Sequence, residues 1–292
     1  MIALTGASGY VGSHLLQALE DERRPVRALS RSPERLEGGA ASTTEVVHAD
    51  LLEPASLGPA LAGADTLVYL AHGLGGDDFV RADQQAAANA ASAAEAAGIS
   101  RIVYLGGLGR GDDLSPHLRS RQEVGRILRE SSVPTIELRA SIVLGEGSAS
   151  YDLLRAVVDN VPAAAVPDWA RSESQPIHVD DVVAYLLAAL DVELAGARIY
   201  EVGGPDRLSY LDLMREYAEV HELTRVFVPV PVLPGANLWQ KALERIATDR
   251  LTVWLRLVES LRNETTVQDD AARRDFPQVR PRPVLEALRA AA

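Results

Sequence analysis

The glycine run Thr5-Gly6-Ala7-Ser8-Gly9-Tyr10-Val11-Gly12 constrains this chain most. It follows a short apolar run, Ile2–Thr5, and opens a helical pattern, Tyr10–Glu20. Glycines spaced G-x-x-G-x-x-G between strand and helix allow a tight turn, close backbone approach to a pyrophosphate, and close packing of helix on strand. The free N–H groups and positive dipole end of the helix then face the phosphates. An ordinary glycine turn would read the same in isolation. Placed between a strand and a helix, the run predicts a dinucleotide site holding Thr5, Gly6, Ser8, Gly9, Tyr10, Val11 and Gly12.

The rest of the first half repeats the alternation. Val26–Leu29, Glu45–His48, Thr66–Leu70, Arg101–Leu105 and Thr135–Leu138 read as short buried strands. Helical patterns lie between them, notably Phe79–Ala97, which Gly98 ends, and Pro116–Glu130. Strands alternating with helices of this length predict an α/β fold, a doubly wound Rossmann-type parallel sheet covered on both faces. The texture changes after Gly145-Glu146-Gly147-Ser148. Helices are expected at Tyr151–Asn160 and Val182–Leu190, a loop at Pro167–Pro176, a strand at Arg198–Val202, and a proline-punctuated link at Pro229–Gly235. The expected division is a dinucleotide-binding domain, residues 1–145 plus 176–205, and a smaller, mostly helical substrate lobe, residues 146–175 plus 206–292.

Charge and composition exclude several functions. Lys and Arg number 29 against 41 Asp and Glu, a formal charge of −12, which disfavours nucleic acid as a partner. The absence of cysteine removes disulfides, thiolate metal sites and cysteine nucleophiles. His14, His48, His72, His117, His178 and His221 show no ligand spacing with one another, so no metal is expected. No run approaches the ~18–20 apolar residues of a membrane span. Met1–Thr5 leads straight into the glycine motif without a targeting segment, and the expectation is a cytoplasmic protein without a membrane partner.

The end of the second strand bears on which dinucleotide binds. A carboxylate there would bond a ribose 2′-hydroxyl and repel a 2′-phosphate. The chain instead has Ser30-Arg31-Ser32-Pro33-Glu34-Arg35. Arg31 can fork onto a phosphate and Arg35 follows one turn later, so NADP(H) is expected over NAD(H), with NAD(H) possible. The alternative is that both arginines are solvated surface residues. A charged hydrogen bond is worth ~1.5–3 kcal/mol, so loss of Arg31 should weaken NADP(H) binding about ten- to a hundredfold. Asp50 and Leu51 are placed beside the adenine. Ala71, His72 and Gly73 line the ribose side, unless His72 simply faces solvent, and Leu105, Gly106 and Gly107 lie where the fifth strand ends.

These motifs, with V-Y-L-A-H after the fourth strand, I-V-Y-L-G-G, L-R-A-S-I-V-L-G-E-G and Gln175-Pro-Ile-His178-Val-Asp180-Asp181-Val, resemble the short-chain dehydrogenase/reductase superfamily. The resemblance is to its extended and atypical branches, which include NAD(P)-dependent epimerases and NmrA-like proteins, and it covers nearly the whole chain. It implies a Ser after the fifth strand and a Tyr-x-x-x-Lys on the next helix. The chain departs from that pattern at all three positions. The strand ends Leu105-Gly106-Gly107-Leu108-Gly109, and His117-x-x-x-Arg121 stands where Tyr-x-x-x-Lys is expected. Ser115 reads as a helix cap and Pro116 as the first helical residue, so His117 falls in the first turn with Arg121 at i+4 on the same face. The helix N-terminus and the guanidinium should both keep His117 neutral.

Three functions fit. The first is an NADPH-dependent reductase transferring hydride to a ketone or quinone of a bulky aromatic secondary metabolite, with a substrate hydroxyl or water giving the proton. His117 and Arg121 are its candidate catalytic residues, Arg121 also reaching the cofactor ribose. Inert packing of both is the competing reading. The second function is an NmrA-like redox sensor, the third a nucleotide-sugar epimerase or dehydratase. Candidate substrate contacts are Leu108, Ser141, Tyr151 and Trp169. Trp239 and Trp254 lie on later helical patterns, and Arg139, Arg155 and Arg171 are candidate partners for an acidic group. The partner is a small molecule, and the chain is expected to be a monomer or homodimer.

Overall fold

The structure, a computed structural model, describes residues 1–73, 78–193, 196–230, 244 and 251–291. Trp239 and most of the link beyond Pro229 lie outside the described residues.

Seven parallel strands form the central sheet: β1 (Ile2–Thr5), β2 (Val26–Ser30), β3 (Thr44–His48), β4 (Thr66–Tyr69), β5 (Arg101–Gly107), β6 (Thr135–Ala140) and, later in the chain, Arg198–Val202. Their spatial order runs from the last strand through β6, β5, β4, β1 and β2 to β3. The order reverses between β1 and β4. In open parallel sheets that reversal opens a crevice at the carboxyl ends of the strands. All seven strands were expected, within a residue or two at their ends.

Helices cover both faces. On one face α1 (Tyr10–Asp21) packs against the helix Val179–Asp191 over a core that includes Leu15, Leu19, Val26, Leu138 and Leu186. On the other lie α3 (Pro54–Leu61), α4 (Phe79–Ala97) and α5 (Pro116–Glu130), after the single-turn α2 (Glu34–Glu37) at the end of β2. The buried stripe of α4 is Phe79, Asp83, Ala86, Ala87, Ala90, Ala91 and Ala94, the spacing of one helical face. Alanine at most of these positions brings the helix close to the sheet. Gly98 ends it with φ +71°.

The smaller lobe has its own core. Strand β7 (Val143–Leu144) leads into α6 (Ala149–Asn160), whose Tyr151, Leu153, Leu154 and Val158 meet Leu213, Met214 and Tyr217 of a helix at Tyr210–Val220. Trp254, from the helix Leu251–Ser260, joins them. The expected loop at Pro167–Pro176 is more ordered than its composition suggests. It holds a 3₁₀ turn, Asp168–Arg171, and a short strand, Glu173–Ser174, paired antiparallel with Leu208–Ser209. Those partners are distant in sequence, which is why periodicity did not show them.

The motif Gln175–Asp181 ties the lobes together. Gln175 donates to the Gly204 carbonyl at 2.9 Å and accepts from the Val267 amide at 2.6 Å. His178 caps the helix Val179–Asp191 through the Asp180 amide, and Asp181 accepts from the Arg282 amide at 3.0 Å. The chain then returns to the sheet once more than expected. Ala271, Ala272, Phe276 and Val279 pack in the core of the first domain beside Tyr200 and Val202, so this stretch departs from the substrate lobe to which it was assigned.

Candidate active site

The β1–α1 turn is a backbone-to-backbone contact. Gly6 has φ +72°, and a side chain there would meet the Leu70 carbonyl carbon at 2.9 Å. At Gly12 a Cβ would sit 2.0 Å from the Gly6 oxygen. Helix α1 thus starts against the ends of β1 and β4 with no room for side chains between them. Thr5 fixes the turn by accepting from the amides of Leu70 (3.1 Å) and Ala71 (3.3 Å). This is a cradle shaped for the backbone-held phosphates of a dinucleotide.

A cleft of about 610 Å³ runs from this cradle. Thr5, Gly6, Ser8, Gly9, Tyr10, Val11 and Gly12 line one end, with Ser30, Arg31, Arg35, Asp50 and Leu51 at the tips of β2 and β3. Arg31 and Arg35 are exposed, and neither has an ion-pair partner among the described residues. Asp50 is turned inward on its own loop, accepting from the Leu52 amide at 2.9 Å. Ala71, His72, Gly73, Leu105, Gly106, Gly107, Leu108, His117, Arg121 and Ser141 line the middle. Every residue expected to hold the cofactor therefore lines this one cleft.

Two expected substrate contacts do not reach the cleft. Tyr151 is buried in the core of the smaller lobe, edge-on to Tyr217 at 5.9 Å between centroids. Trp169 packs against the same core. Both followed from the general expectation that aromatics near Gly145 face a ligand, and apolar burial won instead. Arg139 is also spoken for. It and Arg129 pair with Glu137, a fully buried carboxylate on β6.

The first turn of α5 is built as its sequence predicts. Ser115 Oγ accepts from the Leu118 amide at 3.2 Å, with Pro116 at the first helical position. The smaller lobe holds this cap from outside. Ser260 Oγ lies 2.8 Å from Ser115 Oγ, and Asn263 accepts from the Ser115 amide at 3.0 Å while donating to the Asp113 carbonyl at 2.8 Å. His117 projects from this turn. Its ring centroid stands 6.3 Å from that of His72, a pairing of residues 45 positions apart that spacing could not reveal.

Both imidazoles are held neutral. Burial, then the Arg121 and Arg256 guanidiniums, lower His117 to about 4. Burial therefore outweighs the charge effects that the sequence suggested. His72 presents its surface to the open cleft but has protein closely around it. That enclosure, then Arg121 and His117, shifts it downward as well. Arg121 is buried; one of its amino groups donates to the Leu105 carbonyl, and its guanidinium lies 5.2 Å over the Tyr104 ring. Its Nη1, enclosed by protein, has no partner among the described residues.

Asp83 was missed. It lines the cleft, buried, accepting from the Gly73 amide at 2.8 Å and from Ser120 Oγ at 3.1 Å. Desolvation raises its pKa against the lowering effects of those two bonds and of Arg121. A signal existed, because Asp83 is the one acid on the alanine stripe of α4. The far end of the cleft was also missed. Ser172, Ser174, Tyr210, Leu257, Ser260, Leu261, Asn263 and Thr265 line it, drawn from three separate stretches of the smaller lobe. None of these carries a charge.

Residues 6–146 match the family described as NAD(P)H-binding. This stretch of the chain accordingly carries an NAD(P)H-binding domain. It is similar to a ceramide reductase of Caulobacter vibrioides, 27% identical over 223 residues, 75% of this chain and 70% of that protein. It also resembles the 4-hydroxy-2-methyl-3-oxo-4-farnesyl-3,4-dihydroquinoline-1-oxide ketoreductase of Stigmatella aurantiaca, 26% identical over 308 residues, 94% of this chain and 90% of the relative. The crystal structure of the Citrobacter sp. triphenylmethane reductase complexed with NADP(H) shares the fold, with a TM-score of 0.80, 20% identity and full coverage of both chains. Among the described residues no helix is long and apolar enough to cross a membrane.

The histidine geometry has a direct spectroscopic consequence. With a pKa near 4, His117 should gain its proton only as the pH falls toward that value. In ¹⁵N-detected NMR its ring should stay neutral from pH 8 to 5.5. A titration midpoint near the ordinary 6.5 would contradict the enclosure described here.

Proposed function

We propose that the protein is an NADPH-dependent reductase acting on the carbonyl group of a bulky, uncharged, aromatic ketone or quinone. The observation that carries this reading is the continuity of the cleft, from the glycine cradle past Arg121 and His117 into an uncharged chamber in the second lobe. A redox sensor has no need of such a chamber. A nucleotide sugar would need cations for its diphosphate, and the described lining residues of that lobe include none.

NADPH fits the first half of the cleft through the cradle at Gly6, Gly9 and Gly12 and through Arg31 and Arg35, which have no ion-pair partner among the described residues. When bound, it supplies the hydride that reduces the carbonyl carbon. Arg121 holds the ribose next to the nicotinamide, in the place of the lysine that related enzymes carry. Its fixed charge also favours negative charge on a nearby oxygen. His117, neutral in the first turn of a helix, donates a hydrogen bond to the substrate carbonyl without giving up its proton. The proton that completes the alcohol comes from a hydroxyl on the substrate beside the carbonyl, or from water. Two of the relatives named above are, by name, a ceramide reductase and a ketoreductase, which supports a reductase.

Anaerobic oxidation of NADPH against a panel of hydroxylated aromatic ketones, quinones and aliphatic ketones tests the reading. Turnover should be confined to the hydroxylated aromatics and quinones, and His117→Phe should keep much of the rate on substrates that carry their own acid. Tight NADPH binding with no oxidation by any compound would contradict it. Cofactor preference has its own check in Arg31→Ala. The dissociation constant for NADPH should rise about ten- to a hundredfold while that for NADH stays put, as expected for loss of one charged hydrogen bond. Equal losses for both would remove Arg31 from the 2′-phosphate.

A further inference from the structure

Asp83 is a buried carboxylate to which the proposed reaction gives no role. It sits on the buried stripe of α4, where every other position is Phe or Ala. A carboxylate taken out of water there is costly unless its oxygens are bonded. Oδ1 accepts from the Gly73 amide at 2.8 Å, and Oδ2 from the Ser120 hydroxyl at 3.1 Å. Those two partners stand beside the two imidazoles of the cleft. Gly73 directly follows His72 at the end of β4. Ser120 lies three residues after His117 on α5, directly before Arg121.

Each imidazole-bearing segment has other anchors. Thr5 accepts from the Leu70 and Ala71 amides, just before His72. Asn263 and Ser260 hold the Ser115 cap, just before His117, and Tyr104 donates to the Arg121 carbonyl at 2.8 Å. None of these bonds joins one segment to the other. The Asp83 carboxylate does, with one oxygen on each. The rings of the two segments stand 6.3 Å apart, and both line the cleft.

We infer that Asp83 is a positioning residue: by bonding Gly73 with one oxygen and Ser120 with the other, it sets the spacing of His72 and His117 and so the place where a substrate carbonyl meets them. It acts through the two imidazoles. Its part in hydride transfer rests on the reductase reading, while the tie itself can be measured without a substrate.

The test is ¹⁵N NMR of the histidine rings in the full chain. In wild type both should stay neutral from pH 8 to 5.5, kept so by their enclosure and by the charges of Arg121 and, for His117, Arg256. Asp83→Ala cuts both bonds and loosens that enclosure, so both ring signals should shift and their midpoints rise toward the ordinary 6.5, into the measured range. Loss of the carboxylate charge alone would move them the other way. Asp83→Asn can still accept from Gly73 and donate to the Ser120 hydroxyl, and its rings should behave as in wild type. Ser120→Ala cuts one arm and should shift the rings as Asp83→Ala does, by less. Rings that stay unmoved in Asp83→Ala, or in Ser120→Ala should the first variant not fold, would overturn the inference. So would an Asp83→Asn whose rings titrate as those of Asp83→Ala, because the tie would then not be the cause. Kinetics are read separately. On a ketone that wild type reduces, Asp83→Ala should lower kcat about ten- to a hundredfold with little change in KM, as expected of a misplaced polarising group. If wild type reduces no ketone, the reductase reading fails while the ring signals still decide the tie.

Discussion

The contact between Gly12 and Gly6 is the constraint on which the rest of the site depends. With 2.0 Å between a built Cβ at one and the oxygen of the other, helix α1 can start where it does only if neither residue has a side chain. That start places free amides at the crossing point of the sheet, between β1 and β4. It also places the tips of β2 and β3, with Arg31 and Asp50, on one side, and the ends of β4 and β5 on the other. A dinucleotide laid across the tips would extend toward the first turn of α5, where His117 and Arg121 line the cleft.

That turn has been rebuilt as a unit. Gly106 and Gly107 stand where the resemblance would place a hydroxyl, and the surrounding space is tight for a side chain at either. A Cβ at Gly106 would lie 3.0 Å from the Glu137 carboxylate, and one at Gly107 would lie 3.0 Å from Leu118. Glu137 is fully buried between Arg129 and Arg139 and cannot move aside cheaply, because removing it from its partners leaves charge uncompensated. Arg121 occupies the lysine position but is anchored to the Leu105 carbonyl and the Tyr104 ring. In place of a phenol that passes a proton, the site has two neutral imidazoles and a fixed guanidinium. In the function proposed above, such a set would orient and polarise a carbonyl and leave the proton to the substrate or solvent.

The sequence made the sheet legible because each strand is a short apolar run between helical patterns, and because glycines marked the turn that binds phosphate. The cofactor wall was legible for the same reason, since its residues sit at the ends of strands. Three features escaped. Asp83 was hidden in a helix read only for its alanines, although its place on their stripe was a usable signal. The His72–His117 pair joins the end of one strand to the start of a distant helix. The chamber draws on stretches as far apart as Ser141–Val143, Ser172 and Ser174, Tyr210, and Leu257 to Thr265, which nothing in local periodicity connects. Tyr151 and Trp169 failed as ligand contacts because a small lobe must bury its aromatics to have a core at all.

The central claim is that a cleft without a tyrosine donor still delivers hydride to a carbonyl carbon. A single turnover with NADPH deuterated at the transferable C4 position, followed by mass spectrometry of the alcohol formed from a hydroxylated aromatic ketone, tests this most directly. The account predicts one deuterium on the carbinol carbon and none on oxygen after workup in ordinary water. Unlabelled alcohol, or deuterium retained on the cofactor with the ketone unchanged, would contradict it.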